Sequence, residues 1–114
     1  METVRFDGAP IYTAPNHDDV VARRLQGGEA SGADFVLVGH SSLRDGAFIP
    51  LDAAPIGKVY VVLDGAITFE QADGERHVLR RLDSIFVAAG EARAVRNESG
   101  GTSTMIVITP VAPT

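Results

Sequence analysis

From residue 34 onwards, short apolar segments alternate with glycine-containing turns. This alternation restricts the possible fold more than any other feature of the sequence. The segments are rich in β-branched residues and lack the longer apolar repeat of an amphipathic helix. They read DFVLVGHSSL (34–43), AFIPL (47–51), KVYVVL (58–63), AITFEQ (66–71), ERHVLRR (75–81), SIFVA (84–88), RAVRN (93–97) and STMIVIT (103–109). Short strands with turns at this spacing predict an all-β sandwich or barrel.

Two turn dipeptides predict where neighbouring strands are joined, whereas the secondary structure of one earlier segment is not determined by the sequence. Asp64-Gly65 predicts a tight hairpin turn between residues 58–63 and 66–71, and Asp73-Gly74 predicts a second hairpin. Residues 20–26 (VVARRLQ) are compatible with either a short helical turn or a strand.

Length and composition narrow the class of protein. A chain of 114 residues predicts one domain. The absence of cysteine excludes a disulfide scaffold, a Cys–Zn site and a thiol nucleophile. A net charge of −5 argues against a nucleic-acid partner, which a basic face normally recognises. The sequence shows no membrane span and no secretory leader, so we expect a cytoplasmic protein without a membrane partner.

The basic residues are unevenly divided. Nine of the ten are arginine, and the remaining one is Lys58. Codon bias explains why lysine is rare, but it does not explain why the single lysine lies at the start of the strongest strand signal.

Two motifs with fixed residue spacing match the sequence in part, and together they indicate a resemblance to a known family. In the frame G-x5-H-x-H-x3-E-x6-G, Gly46 and Gly65 match, whereas Asp52, Ala54 and Lys58 occupy the two histidine positions and the glutamate position.

The second frame lies downstream at the expected separation. In G-x5-P-x-G-x2-H-x3-N, Gly90 and Asn97 match, whereas Leu82, Ala88 and Arg93 replace the first glycine, the proline and the histidine. The two frames together resemble the cupin superfamily, and in particular the small single-domain, RmlC-like cupins.

The resemblance implies a cupin-type double-stranded β-helix, or jelly-roll, barrel. Residues 34–114 are expected to form the barrel, and residues 1–33 an N-terminal arm that packs on the barrel or on a dimer partner. Cupins commonly dimerise, so a homodimer is expected. Asn97 is expected to support the barrel.

The family's metal ligands are three histidines and a glutamate, and in this chain those positions hold Asp52, Ala54, Lys58 and Arg93. One carboxylate beside two cations does not suit a divalent metal. We therefore expect no metal and no other cofactor.

Because cupin ligand positions point into the barrel, Lys58 and Arg93 are expected to share one pocket. Strand alternation adds Tyr60 and Val62 beside Lys58, and Val95 beside Arg93. Such a pocket suits a small anionic or carbonyl-containing molecule, with Arg93 as carboxylate anchor.

The predicted roles are as follows. Lys58, Tyr60 and His40 are the candidate catalytic residues, and Arg93, Asp52 and His17 are the candidate substrate-binding residues. Lys58 is a base, an electrostatic catalyst or a Schiff-base amine, unless it forms an ion pair with Asp52 that plugs the barrel.

Three functions remain open at this point. A metal-independent isomerase, lyase or decarboxylase is one, and a non-catalytic small-ligand-binding module is another. The third is an interaction protein with an empty barrel.

Overall fold

The computed structural model describes residues 1–112, in which nearly all regular structure is β-strand. No helix in this part of the chain has the length and apolarity needed to cross a membrane. A single 3-10 turn at Phe6–Gly8 precedes the strands, which are β1 Ile11–Tyr12, β2 Val20–Gln26, β3 Val36–Leu43, β4 Phe48–Ala53, β5 Lys58–Asp64, β6 Ala66–Gln71, β7 Arg76–Arg80, β8 Ser84–Val87, β9 Ala92–Arg96 and β10 Ser103–Pro110.

The strands form two antiparallel sheets that face each other. One sheet has six strands in the order β1-β2-β3-β10-β5-β8, and the other has four in the order β4-β9-β6-β7. Long-range pairings such as β10 with β3 and β4 with β9 give the jelly-roll arrangement. The predicted all-β, cupin-type barrel is therefore confirmed.

The hairpin turn predicted at Asp64-Gly65 is absent, and a different connection is found there. The dipeptide Asp64-Gly65 does not close a hairpin, because β5 pairs with β10 and β8 whereas β6 pairs with β7 and β9. It is a corner at which the chain passes from one sheet to the other, and the Ser103 hydroxyl accepts a hydrogen bond from Ala66 N at 3.1 Å there. The hairpin predicted at Asp73-Gly74 is present between β6 and β7.

The segment that the sequence left open is strand β2. It pairs with β3 from Val20 opposite Leu43 to Gln26 opposite Val38. The later part of the expected arm, residues 1–33, is thus built into the six-stranded sheet. The barrel predicted over residues 34–114 includes Pro113 and Thr114, which lie outside the described residues.

The first residues are held against the outer face of the same sheet. The Arg23 guanidinium donates to the carbonyl oxygens of Phe6, Asp7 and Ala9 at 3.1, 3.3 and 3.1 Å. The Phe6 ring also meets His40 edge to face, with 4.8 Å between ring centroids. These contacts fix the position from which the chain enters β1.

Strand alternation gives the barrel one apolar interior. Side chains from both sheets meet there, and the buried cluster comprises Leu43, Ala47, Ile49, Tyr60, Val62, Ile67, Phe69, Val95 and Met105. Four of these residues, namely Ile49, Tyr60, Val95 and Met105, also border a cavity. The core therefore ends at the wall of the candidate site.

Candidate functional site

The interior of the barrel contains a cavity of about 90 Å³, here called the lumen. About half of the residues in its wall are apolar, among them Val20, Ile49 and Val107. The polar side chains in the wall are Tyr12, His17, Ser41, Lys58, Tyr60 and Arg93. An apolar pocket with a few convergent polar groups is the usual form of a small-molecule site.

A second cavity of about 220 Å³, here called the mouth, adjoins the lumen. His17, Lys58 and Arg93 line both cavities, and Asp52 and Glu91 line only the mouth. The lumen is the smaller of the two cavities, so it suits the head group of a small ligand. The remainder of a larger ligand would lie in the mouth.

Alternation along two strands brings the predicted pocket residues together. On β5, Lys58 and Tyr60 line the lumen and Val62 is buried in the core beside them. On β9, Arg93 and Val95 line the same cavity. The parity that the sequence predicted for these strands agrees with the structure.

The guanidinium of Arg93 is only partly satisfied. Its Nε donates to the Tyr60 hydroxyl at 3.3 Å. Its Nη1 is buried and has no hydrogen-bond partner within residues 1–112. A buried donor without a partner carries a large desolvation cost, and native structures satisfy such groups with a ligand, an ion or water.

In the described part of the chain, no carboxylate lines the lumen beside its two cations. Asp52 lies opposite Arg93 in the strand register, but its carboxylate accepts a hydrogen bond from Ala53 N at 2.9 Å. Within the described residues, neither Lys58 nor Arg93 forms an ion pair at 4.0 Å or less. The Lys58–Asp52 ion pair that the sequence left open is therefore absent, and the lumen carries net positive charge.

His17 lies in the loop between β1 and β2, at the border of lumen and mouth. Its Nδ1 is 2.6 Å from the carbonyl oxygen of Pro15. The structure thus brings this loop histidine to Lys58, Tyr60 and Arg93, with Asp52 at the outer edge of the group.

His40 is the one candidate that the structure separates from the others. The register pairs it with Arg23 and Ile106, and it faces outward onto Phe6. Its neighbour Ser41 faces the lumen instead. Burial lowers the pKa of His40, and the positive charge of Arg23 lowers it further, against a backbone hydrogen bond that raises it.

Sequence reasoning missed three residues of the site, namely Tyr12, Ser41 and Glu91. The Tyr12 hydroxyl lies so close to Gly39 that a Cβ at that position would overlap it. A glycine inside a strand is a signal for such a close approach. Burial raises the pKa of Tyr12, against the opposing charge of Arg24, whose guanidinium lies 4.0 Å from the ring centroid.

The residues at the family's metal-ligand positions do not fit a divalent metal. Of the four, Asp52 alone offers an oxygen donor, while Lys58 and Arg93 bring positive charge to the same cavity. Within residues 1–112, no three His, Asp or Glu side chains are grouped so as to hold a metal ion.

We expect the purified protein to contain metal only at substoichiometric levels, because the lumen repels a dication. Elemental analysis by mass spectrometry of protein purified without chelators measures this. A matched variant that restores the motif, Asp52→His, Ala54→His, Lys58→Glu and Arg93→His, is expected to gain metal. Near-stoichiometric iron, manganese, nickel or zinc in the unmodified protein would contradict the expectation.

The sequence of the chain is similar to a known family and to a known protein. A family model described as Cupin domain matches residues 45–109. The chain is 39% identical over 109 residues to a Mycobacterium tuberculosis protein named Beta-D-galactosidase Rv1717, covering 94% of this chain and 91% of that one.

Solved structures share the fold at low sequence identity. The polyketide cyclase RemF from Streptomyces resistomycificus has a TM-score of 0.87 and 19% identity, covering 98% of this chain and 80% of that one. A sugar phosphate isomerase of the cupin superfamily from Silicibacter pomeroyi has a TM-score of 0.81 and 20% identity, covering 98% and 77%.

Proposed function

The chain belongs to the cupin family, and from that premise we propose that its lumen binds a small carboxylate- or carbonyl-containing metabolite without a metal. The observation that supports this most directly is the buried, unpartnered Nη1 of Arg93 in a cavity with Lys58 and no carboxylate. An anionic head group would supply the missing hydrogen-bond acceptor. A carboxylate, an enolate or a comparable oxyanion is a head group of this kind.

The same arrangement suits chemistry that develops negative charge on oxygen. Lys58 and Arg93 are cationic side chains in the partly apolar wall of an interior cavity, where they stabilise an oxyanion more strongly than in water. Tyr60, which accepts the hydrogen bond from Arg93 Nε, orients the guanidinium and a bound ligand. Isomerisation, elimination and decarboxylation develop such an oxyanion when they proceed through an enolate.

The first test is calorimetric binding of pyruvate to Arg93 variants. Arg93→Met is expected to weaken binding by about 10- to 100-fold, because a hydrogen bond to a charged group contributes about 1.5–3 kcal/mol. Arg93→Lys should lie between, since it keeps the charge but loses the two-pronged geometry. Arg96→Met is the matched control, because Arg96 lies on the same strand with its guanidinium 4.3 Å from the Phe48 ring centroid.

The control should bind pyruvate as the unmodified protein does. If Arg93→Met binds a panel of small acids as tightly as the unmodified protein, or if none of the panel binds at all, the proposed function is wrong.

Lys58→Met separates the three classes of function. An enzyme loses turnover while staying folded, a binding module loses affinity, and an interaction protein is unaffected. The non-catalytic binding module is the alternative that shares the same lumen.

Glycoside hydrolysis is a second candidate, favoured by the similarity to the mycobacterial protein named a β-D-galactosidase. Such chemistry uses two carboxyl groups on either side of the scissile bond. The mouth offers Asp52 and Glu91, and the lumen offers none. Hydrolysis of a chromogenic β-galactoside that disappears in both Asp52→Asn and Glu91→Gln would favour this candidate over acid binding.

The proposal includes a cytoplasmic homodimer. The homodimer is supported by an outer groove of about 360 Å³ that Phe35 and Phe86 line, two residues that are 71% and 66% exposed. Large exposed aromatic side chains around an apolar groove are typical of interaction surfaces. Sedimentation velocity measures the oligomeric state.

A further inference from the structure

We propose that His17 is the base of this site, taking a proton through Nε2 from the carbon next to the carbonyl group of the bound acid. This inference rests on the proposed function, and it assigns to His17 a catalytic role rather than a binding one. Three features of the structure carry it: the hydrogen bond at Nδ1, the fixed loop around the ring, and the composition of the lumen.

The hydrogen bond at Nδ1 decides which ring nitrogen carries the proton. The carbonyl oxygen of Pro15, 2.6 Å from Nδ1, can only accept a hydrogen bond. Nδ1 must therefore donate, so the proton of the neutral ring resides there and Nε2 keeps its lone pair. Nε2 has no hydrogen-bond partner in the described part of the chain, which leaves it free to act on a ligand.

The loop holds the ring in place. His17 N donates to the Ala14 carbonyl oxygen at 3.3 Å, and Val20 N donates to the His17 carbonyl oxygen at 3.3 Å. Between them, Asn16 adopts a left-handed conformation with φ 61°. The imidazole is thus anchored through its backbone and through Nδ1, and only the Nε2 edge of the ring is uncommitted.

The carboxylates and the phenol of the site are less suited to the same task, and Lys58 has the role of electrostatic catalyst at the developing oxyanion. Among residues 1–112, no carboxylate lines the lumen. At the mouth, the carboxylates of Asp52 and Glu91 accept hydrogen bonds from Ala53 N and Ala88 N at 2.9 and 3.0 Å. The Tyr60 hydroxyl accepts a bond from Arg93 Nε. His17 is the imidazole that lies at the border between the two cavities.

The step balances without a further reactant. Nε2 forms a bond to the proton, the C–H electron pair becomes the C=C bond of an enolate, and the carbonyl π pair moves to oxygen. Lys58 and Arg93 then face the negative oxygen. Return of this proton to a different carbon gives isomerisation. Exchange follows when the proton on Nε2 is replaced by one from solvent before a proton returns to the same carbon.

The first measurement is the tautomer of His17 by ¹⁵N NMR of the full chain labelled at histidine. The protein contains three histidines, so His17→Asn assigns the signal by its loss. The neutral ring is expected to carry its proton on Nδ1. A neutral ring protonated mainly on Nε2 would overturn the inference, whatever the ligand.

The second measurement is exchange of the methyl protons of pyruvate in D₂O. His17→Asn keeps an amide donor for the Pro15 carbonyl oxygen but has no group at the position of Nε2. It is expected to slow exchange by about 100-fold or more, as loss of a general base does, while pyruvate affinity changes by less than about threefold. His17→Gln serves as a second variant, and circular dichroism confirms that both are folded.

Exchange in His17→Asn within about threefold of the unmodified protein would overturn the inference. An unmodified protein that binds pyruvate but does not exchange its protons would overturn it too. Failure of the proposed function gives a different result, namely no binding of small acids in calorimetry.

Discussion

Replacement of Asn97 by alanine is expected to lower the free energy of unfolding by about 4 kcal/mol, among the largest effects of any single substitution. A domain of this size is stable by only about 6–17 kcal/mol, so a large part of its stability would be lost. The thermal midpoint should fall by about 15 °C, and thermal denaturation followed by circular dichroism measures it.

The reason is a fully buried amide that holds two loops together. The Asn97 side chain is 0% exposed. Its Nδ2 donates to the carbonyl oxygens of Leu43, Arg44 and Gly101 at 3.0, 3.0 and 2.8 Å. Alanine would leave these acceptors without their donor, and each unsatisfied buried group costs about 1–3 kcal/mol.

Ser99→Ala is the matched control, because it removes a partner of the same amide from the exposed side. Ser99 donates to Asn97 Oδ1 through its hydroxyl at 2.7 Å and through its backbone N–H at 3.1 Å. Only the hydroxyl is lost in the variant, so we expect a loss of about 1 kcal/mol. If both variants lose the same free energy of unfolding, the Asn97 amide does not make the large contribution to stability that we predict.

The family resemblance implied the structural role of Asn97, and the sequence pattern predicted most of the strands. Strand positions depend on local composition and on turn residues, and these are visible in the sequence. The pocket positions of Lys58 and Arg93 could be predicted as well, because the motif frame fixes their parity and both line the lumen.

The contribution of β1 could not be predicted. His17 was a predicted site residue, but Tyr12 was not. Tyr12 lines the lumen because β1 pairs with β2, and the entry of the chain into β1 depends on contacts such as those of Arg23 with Phe6 and Ala9. Those contacts join residues far apart in sequence, so no local pattern encodes them.

The face that His40 occupies could not be predicted either. Strand alternation places neighbouring residues on opposite faces, but the sequence does not say which face is inner. The pairing of Ser41 with Ala22 and Met105 decides it, because Met105 belongs to the buried cluster. A shift of one residue would have exchanged His40 and Ser41.

Whether Lys58 forms an ion pair depends on its distance from the Asp52 carboxylate. A close Asp52 would have neutralised the lumen, whereas the structure turns that carboxylate to Ala53 N and leaves the two cations uncompensated. The motif frame predicted that Lys58, Arg93 and Asp52 lie near one another. The three-dimensional structure was needed to show that, within the described residues, no ion pair joins either cation to Asp52.

The second large effect is expected at Gly65, where Gly65→Ala should lower the free energy of unfolding by about 3–4 kcal/mol. Gly65 has φ +77°, and a left-handed conformation costs a residue with a Cβ about 1–2 kcal/mol. An added Cβ would also overlap the Ser103 hydroxyl and lie 2.9 Å from Ser103 Cβ and 3.1 Å from its Cα. Ser103 is 0% exposed and cannot move aside.

Gly74→Ala separates the clash from the backbone strain. Gly74 also has a left-handed backbone, with φ +89°, but nothing lies within 4 Å of an added Cβ. We expect it to lose only about 1 kcal/mol, because the reduced entropy of the unfolded chain offsets part of the strain. Urea denaturation of the two variants measures the difference, and equal losses would show that strain alone accounts for the glycine at position 65. A larger loss in Gly65→Ala would show that the corner between β5, which carries Lys58 and Tyr60, and β6 depends on close packing against Ser103.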